Sequence, residues 1–533
     1  MGAKGANERA HVLERRDSEE RERGRGRALF FSRPEKPQPA PPPPKKNLSS
    51  QQITTLPNGL RVATEATPHA QTAAVGVWID AGSRYESAAT NGAAHFLEHM
   101  AFKGTAVRDT RQLEQEVEDM GGHLNAYTSR EQTCYYARVF SGDVARAVDI
   151  LADILQNSKL DEGAIERERD VILREMQEVE GVPEEVVFDH LHATAFQQTP
   201  LGRTILGPAA NVKSLTRCVQ VSIFLPPPLP RSSERDKETQ TLPFSSNLSP
   251  PFLCRTLSKL NRDDLKKYID TNYVAPRMVV AAAGGVDHDQ LVKLAAKAFG
   301  GLPSGEGHPT TGQLVAASPA HFTGSEVRLR DPDMSKLHFA VAFKGASWGD
   351  ADAVPLMVIQ SMLGAWDKHG GAGGAASPML AQRASANGLC DSYMAFNTNY
   401  HDAGLFGVYA VADPGGPVDD LAWSVMRDVS GLCYGAGDAD VERAKTQLKA
   451  SLLFAGDGPA GVAEEIGRQL LVYGRRVPLA EMLARVDAVT PAKVQEVARR
   501  FIFDQDVAIA ALGDTQNLPD YTYFRRRTYW LRY

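Results

Sequence analysis

Apolar and polar residues alternate in two distant stretches, VGVWIDAGSRYE at 75–86 and FAVAFKGASWGD at 339–350. Each alternation predicts a strand running into a turn. The likeness extends along the chain. GGHLNAYTSREQTCYYARV (121–139) matches in pattern GLCDSYMAFNTNYHDAGLFGVYAV (388–411), and the helix-period segments IERERDVILREM (165–176) and VERAKTQLKASL (441–452) line up. MVVAAAGGV (278–286) parallels VAIAALGDT (507–515) as a closing strand. The body is therefore an internal repeat. Strands and helices mix without strict βαβ alternation, so each copy reads as an α+β domain. The first spans 48–299 and the second 321–533, with a Gly/Pro-containing connection at 300–320.

The repeat exposes a mismatch in length. From the Pro-Leu pair at 200–201 to the helix opening NRDDLKKY at 261 is 61 residues, whereas the second copy covers the same ground, 478 to 490, in 12. The excess, about 217–255, is rich in Pro, Ser and charge and lacks periodicity. It reads as a disordered insert, translated from unremoved intron sequence. Residues 1–47 also lack apolar periodicity and end in a proline-rich linker. Their arginines suit an organelle-targeting leader, but Glu14, Asp17, Glu19, Glu20 and Glu22 do not.

Composition narrows the class. At 533 residues the chain exceeds what one core can serve, and 43% apolar with 23% charged residues is typical of a soluble globular protein. No window approaches the apolar length that crosses a bilayer, so no transmembrane segment is expected. Five scattered cysteines without a CxxC pair suit a reducing compartment. Residues 1–46 carry +5 and the remainder −11, which favours cationic partners and gives no reason to expect nucleic-acid binding.

The candidate chemistry lies in GAAHFLEHMAFKGT (92–105). His95 and His99 are at i and i+4, so on a helix their imidazoles share a face, with Glu98 beside them. Zinc catalysis needs three protein ligands, an open position for water and a carboxylate to take that water's proton. HxxEH supplies two ligands and the base. For the third, the helix DEGAIERERDVILREMQEVE offers Glu166, Glu168, Glu175, Glu178 and Glu180. In the second copy Glu166 is kept as Glu442, while Glu168 becomes Ala444 and Glu175 becomes Ser451. The histidine motif is missing there too, becoming QSMLGAWDKHGG, as expected if these residues form one site.

HFLEHMAFKGT, GGHLNAYTSREQTCYYA, ILREMQEVE and the segment from FIFDQDVAIAALGDT onward resemble the pitrilysin-type inverse-zincin metallopeptidases over roughly 48–216 and 255–533. The wider text looks like the branch that removes targeting presequences from imported mitochondrial precursors. The resemblance implies two domains, each a mostly antiparallel sheet packed with helices, enclosing a cavity. It implies one Zn2+ per chain on His95, His99 and Glu175, with Glu98 as general base and Glu168 as supporting carboxylate. It implies a matrix or inner-membrane-face location and a heterodimer with a non-catalytic alpha-type subunit. The substrate would be a basic presequence cut once, with an arginine two residues before the scissile bond. Glu185 and Asp189, at i and i+4, can accept a guanidinium's forked donors, and their family counterparts bind that arginine. Asn125, Ala126 and Tyr127 fall on the family's edge strand, where an extended substrate can add. Phe102 would line the pocket just after the cut, and Arg383 is a candidate oxyanion donor from the second domain. Two other readings stand beside this one. The chain could be a core scaffold subunit of the respiratory ubiquinol–cytochrome c reductase, or a self-sufficient peptide-degrading enzyme of the same superfamily.

Overall fold

Each copy of the repeat builds one six-stranded mixed sheet. In the computed structural model residues 50–212, 260–370 and 378–529 are described; the leader, the insert at 217–255 and half of the glycine-rich stretch at 365–378 lie outside them. The first sheet comprises β1 (Ser50–Thr55), β2 (Arg61–Ala66), β3 (Thr72–Ile79), β4 (His123–Thr128), β5 (Thr133–Phe140) and β6 (Met278–Gly284), in the order β1-β2-β6-β3-β5-β4. The second comprises β7 (Ser325–Arg330), β8 (Leu337–Lys344), β9 (Ala365–Asp367), β10 (Ser392–Asn399), β11 (Gly404–Ala412) and β12 (Val507–Gly513), in the order β7-β12-β8-β11-β10-β9.

Only β2·β6 and β7·β12 run parallel, so the two sheets match strand for strand through their centres. Their edges differ. The first sheet adds β1 outside β2, whereas the second adds β9 outside β10. As a result β4 pairs with β5 alone among the described residues, and its counterpart β10 is covered.

The helices that matter for the site are α1 (Ala93–Ala101), α2 (Glu162–Glu180), α3 (Pro183–Ala195), α4 (Ala353–Leu363), α5 (Asp438–Ala455) and α6 (Pro459–Tyr473). One face of each sheet is covered by helices of its own half, around the two largest apolar clusters. The other face is covered by a helix from the opposite half. From the first half, α3 lays Val187, Leu191 and Ala195 on Ala340, Ala342, Ala508 and Ala510 of the second sheet. From the second half, α6 lays Ala463, Ile466 and Leu470 on Trp78, Val279 and Ala281 of the first.

Alanines on both sheet faces explain the close approach, since longer side chains would hold the helices off. Gly467 of α6 sits directly over the indole, where an added Cβ would lie 2.1 Å from Trp78. The indole N–H donates to Glu464 at 3.1 Å, and burying a side chain of that size contributes about 2–3 kcal/mol. A buried ion cluster also ties the halves together. Arg84 meets Glu131 at 2.6 Å and grips Asp402 with two nitrogens at 2.7 and 2.8 Å.

Candidate metal centre

The helix that carries the HxxEH motif is fixed at its N-terminus. Its apolar side, Ala93, Phe96, Leu97 and Met100, is buried in the first core, which leaves Glu98 and His99 half-exposed. Gly92 precedes it with φ of 103°, a left-handed conformation, and a Cβ there would strike the Leu206 carbonyl at 2.7 Å. Glycine cannot cap the helix with a side chain, and Glu86 does so from a distance. Its carboxylate accepts Gly92 N–H at 2.9 Å, Ala94 N–H at 2.7 Å and Asn91 Nδ2 at 2.7 Å. Burial outweighs these donors and pushes its carboxyl up to about 7.

On the open face of α1 the rings of His95 and His99 lie 4.7 Å apart, and Glu175 of α2 faces both. Its Oε1 is 3.5 Å from His95 Nε2 and its Oε2 is 3.1 Å from His99 Nε2. Oε2 is shielded from solvent yet makes no hydrogen bond, because its alignment on His99 is not that of a donor–acceptor pair. Together the three side chains present ligand atoms within 4.8 Å of one another, the only such group among the described residues. Two imidazole nitrogens and one carboxylate oxygen around an unsatisfied point are the donor set of a catalytic zinc site. These residues fit the ion.

His95 first and then His99 hold the Glu175 carboxyl well below the usual range. Burial alone would lower His99, but Glu175 and then Glu168 outweigh it and raise it. Glu168, buried on α2 one turn pair before Glu175, reaches the far side of His99 with its Oε2 3.3 Å from Nδ1. That contact directs Nε2 toward the ligand point. Lys103 closes the chain from the other side, 2.8 Å from Glu168 Oε1. Glu98 makes no hydrogen bond or ion pair through its carboxylate with another described residue. Its charge adds to burial in raising the Tyr135 hydroxyl and the Cys134 thiol.

The other sequence-predicted residues are distributed as follows. Asn125, Ala126 and Tyr127 lie on β4, the open edge against which α1 packs. The Tyr127 hydroxyl donates to Glu464 of α6 at 2.6 Å. Phe102 caps the C-terminus of α1, half-buried, with its ring 6.5 Å from Tyr135. Glu185 is exposed on α3, while Asp189 already pairs through Oδ1 with Arg130 at 2.6 Å. Arg383 is not with this group. It pairs with Asp428 and lines a cavity made wholly of second-half residues, so the sequence expectation of an oxyanion donor there does not match its surroundings.

Sequence reading missed Glu86, Lys103 and Arg130. Lys103 had a signal, since it follows His99 by four residues. Glu86 and Arg130 act across distances that local pattern does not encode.

Comparison with known proteins agrees with this arrangement. The family model described as Insulinase (Peptidase family M16) matches residues 61–209, and the Peptidase M16 inactive domain matches 259–448. The chain is 56% identical over 481 residues to the probable mitochondrial-processing peptidase subunit beta of Arabidopsis thaliana, covering 90% of this chain and 82% of that one. It is 48% identical to the beta subunit of Lentinula edodes, covering 88% and 91%, and 46% identical to that of Bos taurus, covering 91% and 89%. Among solved structures, a chain of complex III2 from Candida albicans, Inz-5 bound, has a TM-score of 0.72 at 24% identity, covering 90% of this chain and all of that one, and so shares the fold. With the matched domains in this order and beta-subunit relatives covered nearly end to end, the chain belongs to the M16 peptidase family and, within it, groups with the mitochondrial-processing peptidase beta subunits.

Proposed function

We propose that the chain is the zinc-dependent catalytic subunit of a heterodimeric mitochondrial peptidase that removes N-terminal presequences. The observation that carries this reading is the placement of His95, His99 and Glu175 beside β4, the sheet edge left unpaired among the described residues in the half that keeps the ligand set. The second half lacks the set and has β9 over the equivalent edge. Retention of every ligand also argues against a purely scaffolding role.

His95, His99 and Glu175 would hold Zn2+, which would supply Lewis-acid polarisation. The rest is the work of the protein's own side chains. An extended peptide pairs with the free backbone edge of β4 and brings its scissile bond across the open face of α1. Glu98 accepts a proton from the attacking water as the C–O bond forms, and returns it to the amide nitrogen as the C–N bond breaks. Glu168 and Lys103 keep His99 in one tautomer throughout. On α3, Glu185 and the free Oδ2 of Asp189 accept a substrate guanidinium. Arg130 occupies Oδ1 and holds the carboxylate in place.

Reconstitution tests the assignment. The full chain, mixed with an alpha-type subunit, is expected to cut an arginine-containing presequence once, and neither subunit alone is expected to cut it. Cleavage at many sites by the chain alone would replace this reading with that of a general peptide-degrading enzyme.

A further inference from the structure

The second half holds a cavity of about 1050 Å³ that the peptidase chemistry does not use. It lies where α4 ends, between the helices Met379–Asn387 and Val418–Gly431, the start of α5 and the helix Tyr521–Arg526. Its floor is apolar, with Met362, Leu363 and Met426 all buried. Arginines dominate its charged lining.

Each of the three aspartates of the lining has at least one partner. Asp428 takes Arg383, Asp440 takes Arg443 Nη2 at 3.1 Å, and Asp520 accepts the backbone N–H of Tyr523 at 2.9 Å. Arg427 stacks on Trp423 at 4.9 Å and Arg527 on Tyr523, each without a carboxylate partner among the described residues. Arg526 is likewise free of one. Two guanidinium nitrogens in the walls, Arg383 Nη1 and Arg443 Nη1, are buried with no hydrogen-bond acceptor, and Asp428 Oδ2 is buried with no donor. Orphaned buried polar atoms are costly and rare, and here three of them belong to residues that line one cavity.

We propose that this cavity binds an amphiphilic anion. A phosphate or carboxylate head accepts from Arg383, Arg443 and Arg427, whose planar forks suit such a group. An acidic hydroxyl on the head, as in a phosphate monoester, donates to Asp428 Oδ2. The apolar body rests on the methionine and leucine floor. The volume and the mix of apolar lining with few convergent polar groups are those of a small-molecule site.

Titration of dodecyl phosphate, below its micelle concentration, into the zinc-loaded heterodimer tests the site. Saturable binding of one molecule per chain is expected. Inorganic phosphate and dodecanol should each bind at least tenfold more weakly, and Arg443→Met should weaken the dodecyl phosphate complex tenfold or more. Arg427→Lys keeps the charge but loses the fork, and serves if Arg443→Met fails to fold; a fewfold loss is expected. Presequence cleavage should be unchanged in both variants. Vesicles containing phosphatidylglycerol distinguish the source: capture with the same arginine dependence assigns a lipid, and binding of the free amphiphile alone assigns a soluble ligand. Absence of saturable binding in both arms, or binding undiminished by either substitution, would overturn the proposal.

Discussion

Glu168 Oε2 lies 3.3 Å from His99 Nδ1, while the other oxygen of the same carboxylate lies 2.8 Å from Lys103 Nζ. One buried carboxylate thus holds the outer nitrogen of a candidate zinc ligand and is itself held by a cation. The arrangement fixes the imidazole so that its inner nitrogen shares the ligand point with Glu175. Outer-sphere partners of this kind influence how tightly a metal is kept.

Glu168→Ala is therefore expected to weaken zinc retention about 10- to 100-fold, the range found when such partners are removed. Lys103→Met should weaken it less, and Lys103→Arg should restore most of the loss. Competition with a chromophoric chelator measures all three without any reference to peptide cleavage. Unchanged zinc affinity in Glu168→Ala would show that His99 needs no outer partner.

Substrate selection should depend on α3. Removing one acceptor of a charged hydrogen bond costs about 1.5–3 kcal/mol, equivalent to roughly a 10- to 150-fold fall in kcat/KM. Glu185→Gln and Asp189→Asn are each expected to show such a fall with a presequence carrying arginine two residues before the cut. With lysine in that position the penalty should shrink, because an ammonium cannot use both carboxylates in a fork. Equal losses on the two substrates would argue that the acidic pair does not contact that side chain.

The exchanged helices make a packing prediction. A methyl at Gly467 would lie 2.1 Å from the Trp78 ring, so Gly467→Ala must push α6 off the first sheet. Overpacking of this kind typically costs about 1–3 kcal/mol, to be read from urea unfolding. An unaltered midpoint would mean that α6 is free to shift.

Glu86 links the metal-bearing helix to pH. Burial raises its carboxyl to about 7 in the folded chain, well above an unfolded glutamate at about 4.3. The folded state therefore binds the proton more tightly. Its contribution to stability is complete below the unfolded value and is lost as pH rises through 7. Glu86→Gln mimics the neutral form and is expected to flatten the decline in unfolding free energy across that window. A steeper decline in the variant would contradict the assignment.

Much of this could be read from sequence because the repeat supplied an internal comparison. The loss of His95, His99, Glu168 and Glu175 equivalents from the second copy grouped four residues that the structure does bring together. The edge position of Asn125, Ala126 and Tyr127 came from the family resemblance, which did not give its reason. That three-residue β9 covers β10, while among the described residues no strand pairs with the outer edge of β4, depends on a short strand with no periodicity of its own. The helix exchange was invisible for a related cause. The pattern of α3 and α6 shows that each has an apolar face, not which sheet it meets. Arg383 shows the same limit, since a lone arginine does not reveal that Asp428 awaits it.

In the proposed mechanism Glu98 moves the proton for peptide hydrolysis at a zinc site it does not help to build. The most direct test is single-turnover cleavage of an arginine-containing presequence by the zinc-loaded heterodimer, wild type against Glu98→Gln, with bound zinc measured in both. The expected result is full zinc content in the variant with cleavage slowed at least 100-fold, within the range of lost acid–base catalysis. Cleavage at the wild-type rate by zinc-loaded Glu98→Gln would contradict it.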